Sequence, residues 1–143
     1  VASYAIGALI GSITMALLPI RSFPARFMVC NIFLMHIVIL FLGQVDTKLA
    51  GQLILATTGF VQSLAMISMA VTLLNIADEK FRGLVMGVRM LAVYGLPVGL
   101  IGSGLLIEWV GYSNTVTLYG VGGLIVSCVI AFKWRKQLWW SSM

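Results

Sequence analysis

Residues 49–77 read LAGQLILATTGFVQSLAMISMAVTLLNIA, without one charged side chain, and the next five, Asp78-Glu79-Lys80-Phe81-Arg82, carry four charges. An α-helix rises 1.5 Å per residue, so roughly 20 apolar residues cross the ~30 Å hydrocarbon core of a bilayer. The run is longer than one perpendicular crossing needs and too short for two, which predicts a single tilted membrane helix over about 49–76. Its abrupt charged end marks the start of a loop.

The same pattern extends in both directions. Upstream, uncharged runs over about 1–20 and 27–43 are separated by a basic turn holding Pro19, Arg21, Pro24 and Arg26, and two prolines in so short a stretch end a helix. Downstream, a run over about 83–109 is followed by the turn Gly111-Tyr112-Ser113-Asn114 and a last run over about 114–132, then a basic, Trp-rich tail at 133–143. The expectation is an all-α, polytopic membrane helix bundle of about five transmembrane helices forming a single domain. Composition agrees: 61% of the 143 residues are hydrophobic and 9% charged, where a water-facing domain carries about 25% charged residues. The first run opens mid-stretch at Val1 with no basic leader before it, and reads as a truncated start.

Charge placement predicts orientation. On an alternating path, Arg21, Arg26, Lys80, Arg82, Lys133, Arg135 and Lys136 fall on one side and Lys48 alone on the other. Basic loops stay cytoplasmic, so the C-terminus is expected inside. Trp109 and Tyr112 then mark the outer interface, and Phe23, Phe81, Trp134, Trp139 and Trp140 the inner one. The net charge of +5 is thus accounted for by topology and anionic headgroups, not nucleic acid. Cys30 and Cys128 lie within apolar runs and read as packing residues in a reducing compartment.

Few side chains in the spans can carry chemistry. Arg89 stands about one and a half turns inside the fourth run, where a charge either snorkels to the headgroups or faces a wet cavity, binding an anion or a carboxylate. His36 lies mid-span on the second run, placed either to relay a proton or to bond a neighbouring helix. Asn31 and Gln62 are further candidates for lining a path. Thr58, Gln62 and Thr72 share one side of the third run, which either lines a cavity or, as the simpler expectation, bonds across helices. In the fourth run Gly83, Gly87, Gly95, Gly99 and Ser103 recur at multiples of four, a face expected to pack closely on another helix. Pro97, with Gly95 beside it, predicts a kink there. One His, two distant Cys and four carboxylates make no metal or nucleophile constellation. No phosphate-binding glycine motif occurs. No enzyme, cofactor or metal is called for.

The stretch Asp78-Glu79-Lys80-Phe81-Arg82-Gly83-Leu84-Val85-Met86-Gly87, followed by Tyr94 to Gly99 and Gly104 to Gly111, resembles the major facilitator superfamily. The match is to the loop between the tenth and eleventh helices, and the eleventh helix, of its efflux-type permeases. The resemblance implies that helices eight to twelve of a twelve-helix transporter are present. It also implies that Asp78, Glu79, Arg82 and Gly83 form a cytoplasmic gate motif. The expected function is part of a secondary transporter in a bacterial inner (plasma) membrane, exporting small molecules against protons by alternating access together with its remaining N-terminal helices. The alternative is a small scaffold or subunit assembling through the glycine face of the fourth helix.

Overall fold

The computed structural model describes residues 2–17 and 24–135, and these are helical almost throughout: α1 (Ala2–Leu17), α2 (Pro24–Leu42), α3 (Lys48–Ile76), α4 (Arg82–Tyr94), α5 (Leu96–Val110) and α6 (Tyr112–Lys133), with a 3₁₀ turn at Glu79–Phe81 before α4. No strand occurs among the described residues. The turn expected from Pro19 to Phe23, with Arg21, and the tail from Lys136, with Trp139 and Trp140, lie outside them.

Four described stretches are long and apolar enough to cross a membrane: Ala25–Leu42, Lys48–Ile76, Glu79–Val110 and Tyr112–Lys133. The described part of the first run, Ala2–Leu17, has 16 residues and is shorter than a full crossing. The ends agree with the charge-bounded runs to within three residues, because the charged turns are where backbone groups can meet water. α3 is unbroken over 29 residues, about 43 Å, as one tilted span requires.

The fourth run differs from expectation in degree. In place of a kink within one helix, it divides into α4 and α5 at Gly95. Pro97 has no N–H to give the carbonyl of Val93, and the chain tightens around the gap: Gly95 N donates to Ala92 O at 3.2 Å, and Val98 N and Gly99 N to Gly95 O at 3.1 and 3.2 Å.

The helices pack side by side around α3. α3 lies between α1 and α2, α2 also packs on α6, and α6 on α5, while α4 leans on α3. The core is therefore the inward stripe of α3, where Thr58, Val61, Ala65 and Ser68 are buried at three- and four-residue spacing with Gly59 and Leu64, facing Gly7, Gly11 and Met15 of α1. Little else is buried. Large apolar side chains such as Leu9, Leu53, Leu91, Val98, Leu100 and Phe132 stand exposed around the whole bundle, far more than a water-facing surface carries. They suit a hydrocarbon surround, in which lipid covers what the core does not.

Close approach, not bulk, holds α1 against α3. A Cβ on Gly7 would run into the carbonyl of Ala56, one on Gly59 into the carbonyl of Tyr4, and one on Gly11 would lie 2.7 Å from the carbonyl oxygen of Phe60. Gly7 and Gly11 form a G-x-x-x-G pair, which lets two helix backbones touch where apolar burial supplies no drive between helices. The spacing was legible in Gly7-Ala8-Leu9-Ile10-Gly11, whereas the expectation placed the tight face on the fourth helix. On that helix no neighbouring element of the described structure lies within 4 Å of a Cβ at Gly83, Gly87, Gly99 or Gly104.

At the other end of the bundle Gly111 closes α5 with φ 83° and ψ 166°, a conformation essentially confined to glycine. It aims α6 back alongside α2, where Ser113 Oγ donates to Gly43 O at 2.7 Å. Gly111→Ala is expected to cost roughly 1–3 kcal/mol. A denaturation series against Gly122→Ala, where a Cβ meets open space, will measure it.

Candidate functional site

Arg89 sits on the second turn of α4, half-buried, and its guanidinium crosses to α3: Nη2 donates to Met66 O at 3.5 Å. Met66 is ten residues from the end of α3, about 15 Å along the helix. The side chain therefore reaches across to α3. Its Nε is buried with no hydrogen-bond partner. The carboxylates offer nothing at this depth. Glu108 is 19 residues further along the same span, about 28 Å, and Glu79 is 3.6 Å from Arg82. A cation held by one long bond, with a buried donor unused, is under-coordinated in a low-dielectric setting, where such a donor costs ~1–3 kcal/mol. The geometry suits Arg89 to receive an anion or a carboxylate arriving from outside the described helices.

His36 has a different role. Nδ1 lies 2.8 Å from Ile32 O; a carbonyl only accepts, so this nitrogen carries the proton and donates. The ring lies on Gly123 of α6, filling the place a Cβ would take. His36 is thus a packing residue between α2 and α6.

Asn31 is buried, and its Nδ2 donates to Phe27 O of its own helix at 2.8 Å. Gln62 is half-buried on α3. The expected cross-helix bonds of the threonine side are corrected: Thr58 Oγ1 donates to Ile54 O at 2.8 Å and Thr72 Oγ1 to Ser68 O at 2.7 Å, both one turn back on α3. A hydroxyl that can reach its own i−4 carbonyl needs no partner helix. Sequence reasoning passed over Ser68, which is 1% exposed with Oγ unbonded. Cys30 and Cys128 are free and face outward, so neither packs within the described chain.

The loop residues form an exposed turn. Phe81 N donates to Asp78 O at 2.8 Å, and Glu79 meets Arg82 at 3.6 Å in the open. Lys80 lies over the Phe81 ring, 5.8 Å from its centroid. Exposed ion pairs contribute about 0–1 kcal/mol. Glu79→Gln is accordingly expected to leave stability within ~1 kcal/mol of the parent in a denaturant titration. Any larger effect on function would then belong to the loop's role and not to the fold.

The structure thus gathers Arg89 with α3 and His36 with α6, leaves Asn31 and Gln62 on separate helices, and leaves Gly87, Gly95, Pro97 and Gly99 on an outward face. No group of three metal-ligating side chains occurs among the described residues.

Comparison with protein-family models, curated proteins and solved structures returns no match.

The described residues are thus all-helical, with long apolar helices that fit membrane insertion. The α4–α5 span is their distinctive element. It begins in a charged turn, carries the under-coordinated Arg89, breaks at Gly95 and has no buried residue.

Proposed function

We propose that the chain forms helices eight to twelve of a secondary transporter of the major facilitator type, exporting small amphipathic molecules in exchange for protons. In this reading it lies in a bacterial inner membrane with its C-terminus cytoplasmic. One observation carries the reading: the broken α4–α5 span. Transporters of this class place discontinuous helices and their few charged groups at the interface between moving halves, where backbone irregularity faces a cavity or another helix. The span here follows the acidic and Arg-Gly loop of the family resemblance and leaves its small-residue face open. The missing helices of the other half would cover it.

In alternating access the two halves rock about a central site. The hinge at Gly95 and Pro97 would let α4 and α5 tilt independently, and Arg89 would hold an anionic substrate group or a carboxylate whose protonation releases it. Cells producing the intact protein should accumulate less of a fluorescent amphipathic dye than control cells. A protonophore should restore accumulation. Equal accumulation in both strains across a panel of dyes would reject export.

The exposed glycines favour one other reading, a scaffold that assembles through the α4–α5 face. Crosslinking in membranes would then give a discrete oligomer that Gly99→Leu abolishes. A monomer unaffected by that change leaves the transporter reading in place.

A further inference from the structure

The two pieces of the broken span are tied to different neighbours. Arg89 joins α4 to α3, through Nη2 to Met66 O at 3.5 Å. Tyr119 joins α6 to α5: its hydroxyl donates to Gly99 O at 3.4 Å, and a Cβ at Gly102 would lie 3.7 Å from the same phenol oxygen. Between these two ties the helix is interrupted at Gly95, where Pro97 brings no N–H. Little else holds α5. None of its residues is buried, and among the described helices it packs on α6 alone, apart from its junction with α4. In hydrocarbon a phenol donor has no water to turn to, so it takes a carbonyl on a neighbouring helix that comes within reach. Gly102 leaves the hydroxyl lying against bare backbone. At 3.4 Å the bond is long and therefore weak, which suits a contact that opens and recloses.

We propose that the Tyr119 hydroxyl is a latch that sets the tilt of α5 against α6, and that its release lets α5 swing about Gly95 while Arg89 keeps α4 on α3. The inference deepens the transporter reading and rests on it for the use of the swing: the latched and released positions of α5 serve as two states of the moving half. The break supplies the pivot. Leu105 lies ten residues beyond Gly95, about 15 Å along α5, so a change of ~20° in the bend displaces it by about 5 Å. A cross-helix hydrogen bond of ordinary strength in a membrane shifts a two-state ratio about threefold, which makes the latch a bias between positions and not a lock.

The test is double electron–electron resonance on the intact protein in lipid nanodiscs, with Cys30 and Cys128 replaced by serine. Spin labels at exposed Leu34 of α2 and Leu105 of α5 report the position of α5, and labels at Leu34 and exposed Leu84 of α4 report that of α4. Tyr119→Phe removes the hydroxyl and keeps the ring. The proposal expects it to raise the share of a second Leu34–Leu105 distance about threefold, and to leave the Leu34–Leu84 distribution as in the parent. Gly102→Val, which displaces the hydroxyl from the α5 side, should do the same; Tyr119→Phe alone decides should that variant fold poorly. A Leu34–Leu105 distribution unchanged by Tyr119→Phe would overturn the latch. Equal changes in both label pairs would show general loosening of the bundle and overturn it too. No outcome here depends on transport, so the dye assay and the latch fail separately.

Discussion

Gly7→Leu is expected to detach α1 from the rest of the bundle. The Gly7 Cα lies so near the Ala56 carbonyl that even a Cβ has no room, and the obstruction is backbone, which cannot turn aside as a side chain can. Overpacking of this kind costs typically 1–3 kcal/mol and more where the neighbour cannot yield, and the small-residue contact it breaks is what holds the pair in lipid. Gly59→Leu should act alike, because its Cβ would meet the Tyr4 carbonyl from the opposite side of the same seam. A cysteine pair placed across α1 and α3 should crosslink in the parent and fail to do so in either variant. Gly51→Ala supplies the contrast: a Cβ there meets open space, so the helix gains ~0.5–1 kcal/mol from the lost glycine flexibility.

The second large effect falls on Arg89. In the intact protein Arg89→Lys is expected to keep the fold and lose most transport. Lysine retains the charge but presents no fork, and the Arg89 geometry uses one guanidinium nitrogen on Met66 O while leaving Nε open. One lost charge-assisted hydrogen bond is worth ~1.5–3 kcal/mol, about 10- to 150-fold in rate or affinity. Arg89→Leu should lose transport as well while stabilising α4 slightly, since it removes a poorly paired charge from the span. Transport assays beside thermal unfolding of both variants separate the two effects. Full transport by Arg89→Lys would show that charge alone is needed.

How much of this was legible beforehand follows from which interactions are local. The extent of α2, α3 and α6 could be read because bilayer thickness converts directly into a count of uncharged residues, and the turns at 43–47, 77–81 and 111 carry charges, glycine or both. The break at Gly95 was foreshadowed by Pro97, whose missing donor acts within one turn. Partners were another matter. Glycines at fourfold spacing tell which face can approach a helix but not which helix arrives, so Gly83, Gly87 and Gly99 drew the expectation while Gly7, Gly11 and Gly59 make the contact. His36 likewise read as either a proton relay or a bond to a neighbouring helix, and the sequence did not tell that α6 would set Gly123 against its ring. Thr58 and Thr72 failed as cross-helix donors for a local reason: the i−4 carbonyl is always nearer. Of the candidate path residues, Arg89 is the one whose side chain crosses to another helix, and it keeps a buried Nε without a hydrogen bond.

If α4 and α5 are one broken crossing, the 78–82 turn and the 111–114 turn lie on opposite faces of the membrane. Cysteine labelling with a membrane-impermeant maleimide tests this directly, in a background where exposed Cys30 and Cys128 are replaced by serine. Asp46→Cys and Ser113→Cys should label in intact cells, while Lys80→Cys and Arg135→Cys should label only after permeabilisation. Labelling of Lys80→Cys and Ser113→Cys from the same face would make α4 and α5 a re-entrant hairpin and contradict the account.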